Sequence, residues 1–159
     1  HGCTYAASAV GEVNVVNLMK ETNAVIGGEG NGGIIYPELH YGRDALVGIA
    51  LFLTHLAQSG TKTSLLKASY PNYTISKNKI QLEEGMDVDG ILIDIQAAYS
   101  NNEIDTTDGV KIYFEKEWVH LRKSNTEPII RIYTEAKSQE EADHLADKII
   151  GEIKVIANL

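Results

Sequence analysis

Alternation of apolar and polar residues dominates the second half of the chain. Every second residue is apolar from 110 to 114, directly after the turn signal Asp108-Gly109, and this period is that of a half-buried strand. The same alternation continues over 118–122 and 129–134. The sequence therefore predicts three antiparallel strands here, whereas the periodicity of 88–95 fits a helix or a strand equally well.

A long amphipathic helix is predicted to end the chain. Ser138 with Glu141 three residues later has the pattern of a capping box. The apolar residues that follow at helical spacing are Ala142, Leu145, Ala146, Ile149, Ile153 and Ile156. Strands backed by helices predict a small α+β domain with an antiparallel sheet, which we place over residues 70–159.

The first half has the pattern of an α/β domain. We predict a helix over 11–21, a short buried strand over 24–26 and an extended segment over 34–36. A helix over 43–58 is apolar almost all round, so it should be buried, either inside a sheet layer or at a seam between domains.

The following stretch, 61–81, is predicted to be a connector with a short helix over 63–68. The first domain, 1–69, is expected to be an incomplete α/β domain.

Composition excludes several classes of function. Fourteen basic residues against 22 acidic ones give a net charge of −8, which disfavours nucleic acid as a partner. Cys3 is the single cysteine, so no internal disulfide can form and a cytoplasmic protein is expected. The longest apolar run, 45–53, is far shorter than the roughly 18 residues of a membrane span. Since the chain begins at His1 with no Met or signal peptide, we expect a portion of a longer protein.

Two short motifs match cofactor or metal patterns only in part. The glycines at 28, 30 and 33 have dinucleotide-binding spacing, but Pro37 follows instead of the required helix. Asp87 and Asp89 lack the further ligands of a calcium loop. The sequence predicts no metal site.

The segment 122–131 carries a candidate phosphate site. One strand delivers Arg122, a tight turn follows, and the next strand carries Arg131 back beside it, with Lys123 adding a third cation. Guanidinium groups, backbone N–H groups and hydroxyls are the donors that a phosphate dianion requires. An ordinary hairpin with surface cations is the alternative. The candidate phosphate-binding residues are Arg122, Ser124, Asn125, Thr126 and Arg131.

The glycine-rich loop around Glu29 and Asn31 is a candidate sugar site. A carboxylate and an amide on a loop with almost no other side chains suit vicinal hydroxyls, and the glycines allow a ligand to approach the backbone. A flexible turn is the alternative for the same letters.

Together these segments resemble the α-D-phosphohexomutase family. Residues 28–33, Gly-Glu-Gly-Asn-Gly-Gly, resemble its sugar loop Gly-Glu-x-Ser-Gly-His, and 122–128 with Arg131 resemble its phosphate loop Arg-x-Ser-x-Thr-Glu-Pro. Val-Gly-Glu at 10–12 is similar to a segment that precedes the sugar loop. The likeness covers the later part of the third of four domains and all of the fourth. Gly33 stands where the family has histidine.

The resemblance implies a phosphohexose mutase that interconverts hexose 1- and 6-phosphates through a bisphosphate. The attacking phosphoserine and the Mg²⁺ loop of the family lie in its earlier domains, so this chain should hold no catalytic residue and be inactive alone. Glu29 and Asn31 would bind sugar hydroxyls, and the five phosphate-site residues would hold the non-transferred phosphate. Implied partners are the hexose phosphate and the preceding domains. A homodimer is one way in which the incomplete first domain could be completed. A free-standing phosphosugar-binding module is the alternative.

Overall fold

The computed structural model describes residues 2–83, 85–124 and 127–159. Its backbone contacts divide the chain into two compact units, His1–Pro71 and Asn72–Leu159. None of the helices built from these residues has the length and apolar character needed to cross a membrane.

In the first unit the structure describes three helices and a small antiparallel sheet. In its described part the sheet has the strand order β1-β2-β3. Ile35 of β2 is fully buried, and Met19 of α1 is nearly so. The elements are α1 (Glu12–Thr22), β1 (Gly27–Gly28), β2 (Ile34–Tyr36), β3 (His40–Arg43), α2 (Ala45–Ser59) and α3 (Thr63–Ala68).

The predicted strand over 24–26 is wrong. Val25 and Ile26 are 79% and 50% exposed, and pairing begins only at Gly27, opposite Ile35. A side chain at Gly27 would overlap the Met19 sulfur. The first strand therefore forms where a glycine allows the backbone to lie against α1.

The apolar helix α2 forms as predicted, but the prediction that it is buried inside a sheet layer is wrong, and burial at a seam between domains stays a prediction. Asp44 caps it by accepting a hydrogen bond from the Val47 N–H at 3.0 Å. None of its residues is buried, and Leu46 is 78% exposed. In the described part of the unit α2 packs on β2 and α3, which cover only one side of the helix.

The described residues of the second unit form a five-stranded antiparallel sheet and two helices. The sheet has the order β4-β8-β7-β6-β5, which confirms the predicted α+β class and the three predicted strands. Residues 88–95, whose periodicity was ambiguous, belong to a helix. The elements are β4 (Thr74–Gln81), α4 (Val88–Ala98), β5 (Glu103–Asp105), β6 (Val110–Tyr113), β7 (Trp118–Lys123), β8 (Ile129–Ala136) and α5 (Gln139–Ala157).

The prediction that 61–81 is a connector is wrong for its last eight residues. Thr74–Gln81 forms β4 and pairs with β8 along its whole length. Its core-facing Ser76 is buried because its hydroxyl donates to Asp143 of α5. A hydrogen-bonded serine thus stands at a core position where an apolar residue would have indicated a strand.

Alternation along the strands gives the sheet two different faces. Helices α4 and α5 cover one face, and the predicted capping box of Ser138 and Glu141 begins α5. Fully buried residues on this side include Ile95, Ile112, Leu121, Ile130, Ile132 and Ile149. The alternate positions of β7 and β8 point to the other face and are occupied by Trp118, His120, Arg122, Arg131 and Tyr133. Among the described residues of this unit no helix covers the opposite face, which we call the face without helices and which carries the polar and aromatic side chains.

Candidate functional site

The β7–β8 hairpin places Arg122 directly opposite Arg131. The two residues are cross-strand partners in the antiparallel register, and such partners have Cβ atoms about 4.5–5.5 Å apart on the same face. The hairpin therefore brings both predicted guanidinium groups to one place. Like charges directly opposite each other destabilise a sheet, so this pairing does not favour folding.

Asp108 holds Arg122 in position. Its Oδ2 lies 3.0 Å from Arg122 Nε, and both side chains are about a quarter exposed, 24% and 28%. The Asp108 carbonyl accepts a hydrogen bond from His120 Nε2, and burial lowers the pKa of His120. Asp108 was predicted only as a turn residue, because nothing in its spacing indicates the pairing with Arg122.

Lys123, the third cation of the sequence pattern, does not join the arginines. It occupies the next position along β7, and its Nζ lies 2.7 Å from both carboxylate oxygens of Asp89. Asp87 caps α4 by accepting from the Gly90 N–H at 2.9 Å. Both aspartates of the calcium-like motif are thus engaged in capping or pairing.

The hairpin turn contains the remaining predicted phosphate ligands. Ser124 is half-buried, and its backbone N–H donates to the Ile129 carbonyl at 3.0 Å, which closes the base of the turn. Asn125 and Thr126 lie outside the described residues. Their roles stay predictions.

The glycine-rich loop connects β1 and β2 in a tight turn. The Glu29 N–H donates to the Gly33 carbonyl at 3.0 Å, and the Gly32 N–H donates to the Glu29 carbonyl at 3.0 Å. Gly32 has φ +97°, a conformation that favours glycine. Asn31 is exposed, and its Oδ1 accepts from the Gly33 N–H at 3.0 Å. The loop is therefore an ordered turn that keeps Asn31 at the surface.

Arg43 joins this loop to the start of α1. Its Nε lies 2.9 Å from Glu12 Oε2, and its Nη1 lies 3.8 Å from Glu29 Oε2. The Glu29 side chain is only 15% exposed. A Cβ at Gly33 would lie 2.8 Å from Arg43 Cδ, so Arg43 occupies the space that opens where the family pattern has histidine.

An open cavity of about 600 Å³ lies beside the loop. Glu12, Asn31, Gly33, Arg43 and Asp44 are among its lining residues. Backbone and side-chain hydrogen bonds from Val47 and His40 lower the pKa of Asp44, so it is ionised at neutral pH. The cavity offers carboxylates, an amide and one guanidinium, which suit a polyhydroxylated ligand. Sequence reasoning missed Arg43, which lies outside every motif.

No cluster of three or more His, Cys, Asp or Glu residues that could hold a metal ion occurs among the residues the structure describes. The resemblance implies a magnesium site in the preceding domains of the family rather than in this chain, and that stays a prediction.

Comparison with known proteins identifies matches to both units. Residues 1–73 match the family model described as phosphoglucomutase/phosphomannomutase, alpha/beta/alpha domain III. Residues 78–152 match the model of the C-terminal domain of the same enzymes. Both units of the fold therefore have counterparts in one group of proteins.

Individual relatives agree with these matches. A phosphoglucomutase/phosphomannomutase of Thermococcus kodakarensis is 40% identical over 89% of this chain and 31% of its own length. A phosphoglucosamine/phosphogalactosamine mutase of Sulfurisphaera tokodaii is 38% identical over 92% of this chain and 32% of its own. The chain thus spans about a third of the length of these relatives.

A solved structure shares the fold. A phosphoglucomutase/phosphomannomutase family protein of Burkholderia thailandensis has a TM-score of 0.72 and 24% identity, covering 93% of this chain and 32% of that protein.

Proposed function

The chain belongs to the phosphoglucomutase/phosphomannomutase family, and we propose that it is the C-terminal portion of a mutase that interconverts hexose 1- and 6-phosphates. The observation that carries this proposal is the cross-strand pair of Arg122 and Arg131 on the face without helices. Two guanidinium groups on one face of a hairpin are suited to a phosphate ester.

The role of the second unit is to bind the phosphate that is not transferred. Catalysis of phosphoryl transfer depends mainly on positioning and electrostatics. A group that holds the non-transferred phosphate therefore contributes to catalysis without making or breaking a bond. Asp108 supports this role because it orients Arg122 and leaves Arg131 exposed. A bisphosphate intermediate needs such a site, since either of its phosphates can be the one held.

The role of the first unit is to bind the sugar hydroxyls through Glu29 and Asn31. Glu29 Oε2 lies 3.8 Å from Arg43 Nη1, and its carboxylate oxygens are hydrogen-bond acceptors for sugar hydroxyls. Asn31 uses Oδ1 within the loop, so its Nδ2 is the donor that this residue presents to a ligand.

The substrate class is a hexose phosphate, including amino hexose phosphates. Relatives named for both phosphoglucomutase/phosphomannomutase and phosphoglucosamine mutase activity are similar to this chain. The phosphate site proposed here contacts only the ester group, which these substrates share. We expect the isolated chain to bind without turnover.

Titration calorimetry with glucosamine 6-phosphate tests the proposal. We expect the wild-type chain to bind and Arg131→Gln to bind about tenfold to a hundredfold more weakly, because a hydrogen bond to a charged group contributes about 1.5–3 kcal/mol. Lys137→Gln makes the same charge change six residues along, and should leave the affinity unaltered. Equal affinities of all three proteins, or no heat from any, would contradict the proposal.

A further inference from the structure

A third cation lies in line with the two arginines of the hairpin. In the β4–β8 register Lys79 is directly opposite Arg131, and in the β7–β8 register Arg131 is directly opposite Arg122. The three side chains therefore occupy one transverse row on the face without helices. Sequence reasoning could not find this row, because it assigned Lys79 to a connector.

The three cations of this row are only partly neutralised by acidic side chains. Arg122 is paired with Asp108. Lys79 and Arg131 are exposed, and neither has an acidic partner within 4 Å among the described residues. With one carboxylate against three cations, the row has a net charge of +2. This charge matches a phosphomonoester, which is largely a dianion above pH 7.

Lys77 shows that the strand does not expose every lysine in the same way. It lies on the same face two residues earlier and is opposite Tyr133, and its Nζ lies 5.7 Å from the centre of that ring. The ring face provides a cation–π contact for Lys77, whereas Lys79 faces another cation.

We propose that Lys79 is a third phosphate-binding residue of this site and favours a dianionic over a monoanionic ester. The proposal rests on the proposed function. Adjacent strands lie about 4.8 Å apart, so Lys79 and Arg122 flank Arg131 at about one strand spacing each. Long side chains from both flanks can converge on an oxyanion above Arg131.

The row should cost stability when no ligand is bound. Like charges directly opposite each other destabilise antiparallel strands, so Lys79→Gln is expected to keep or raise the thermal midpoint of the free chain. A lysine retained for folding would behave in the opposite way, and this measurement separates the two roles.

The binding experiment compares glucose 6-phosphate with glucose 6-sulfate at pH 7.5 by titration calorimetry on the full chain. We expect Lys79→Gln to lower affinity for the phosphate about fivefold, the upper range for an exposed ion pair, with a smaller loss for the monoanionic sulfate. Lys79→Arg should retain the affinity. Lys77→Gln, which makes the same charge change on the same strand and face, should bind like wild type.

The outcomes distinguish this inference from the proposed function. If Arg131→Gln weakens binding but Lys79→Gln and Lys77→Gln both equal wild type, the inference about Lys79 is overturned and the phosphate site stands. If the two lysine variants lose affinity equally, the effect is general charge and the inference is again overturned. If wild type binds neither ester, both proposals fail.

Discussion

Gly109→Ala should destabilise the second unit and also disturb the phosphate site. Gly109 has φ +77°, and a Cβ there would overlap the carbonyl oxygen of Leu121 and lie 3.1 Å from Arg122 Cγ. Leu121 is the partner of Val110 in the β6–β7 register. The added methyl group therefore pushes against the backbone of a central strand, directly beside Arg122.

The expected cost follows from two contributions. Placing alanine in the left-handed region costs about 1–2 kcal/mol. Relieving the overlap requires a backbone shift of roughly 1 Å, and loss of the adjoining ladder hydrogen bond costs about 1–3 kcal/mol. We therefore expect Gly109→Ala to lower the free energy of unfolding by about 2–5 kcal/mol.

Gly85→Ala is the matched control. Gly85 has φ +89° with no atom within 4 Å of an added Cβ, so it should pay only the conformational cost of about 1–2 kcal/mol.

Urea unfolding followed by tryptophan fluorescence measures both variants. Trp118 is the single tryptophan, and its Nε1 donates to Glu135 at 2.8 Å within this sheet. If Gly109→Ala costs no more than Gly85→Ala, the overlap with Leu121 does not exist as described and the reasoning is refuted.

Three further outcomes are expected. Burial lowers the pKa of His120, so the stability that its neutral form contributes is complete above the unfolded pKa of about 6.5. That stability is lost as the pH falls through the lowered pKa of the folded state. Urea unfolding of His120→Gln should therefore show a flatter dependence of the free energy of unfolding on pH over this window. Ser138→Ala removes the capping box with Glu141 and should cost about 1 kcal/mol in the same assay. Gly33→His should displace Arg43, whose Cδ lies 2.8 Å from an added Cβ, and should therefore lower the affinity for glucosamine 6-phosphate measured by calorimetry. An unchanged affinity would exclude a role for Arg43 in sugar binding.

The sequence predicts strands where one face is apolar and fails where it is not. Val110–Tyr113 and Trp118–Lys123 alternate clearly and are strands in the structure. Thr74–Gln81 has two polar residues at inward positions, where the Ser76 hydroxyl donates to Asp143 and the Asn78 amide donates to Ser76. Its strand character comes from pairing with β8, whose residues lie 48 to 62 positions further along the chain.

Burial of α2 could not be predicted from its own residues. Leu46, Ile49 and Leu53 are more than half exposed, although their pattern is typical of an enclosed helix. Periodicity shows how much apolar surface a helix presents, but not whether a neighbour covers that surface. The neighbours of α2 in the described unit, β2 and α3, contact only part of it.

The sequence predicts the site residues that lie in one hairpin, but not those that other segments contribute. Arg122 and Arg131 follow from the hairpin, since turn length sets their register. Lys79, Asp108 and Arg43 come from other segments, and nothing in their local sequence indicates a role in the site. Each is brought to its site by strand pairing, by an ion pair or by the space beside a glycine.

Arginine side-chain NMR during a titration tests the phosphate site most directly. The chain has three arginines, Arg43, Arg122 and Arg131, so their Nε–Hε signals can be assigned one by one by substitution. We expect glucosamine 6-phosphate to shift the Arg122 and Arg131 signals, and glucosamine without phosphate to leave both in place. Unchanged Arg122 and Arg131 signals at saturating glucosamine 6-phosphate would contradict the account.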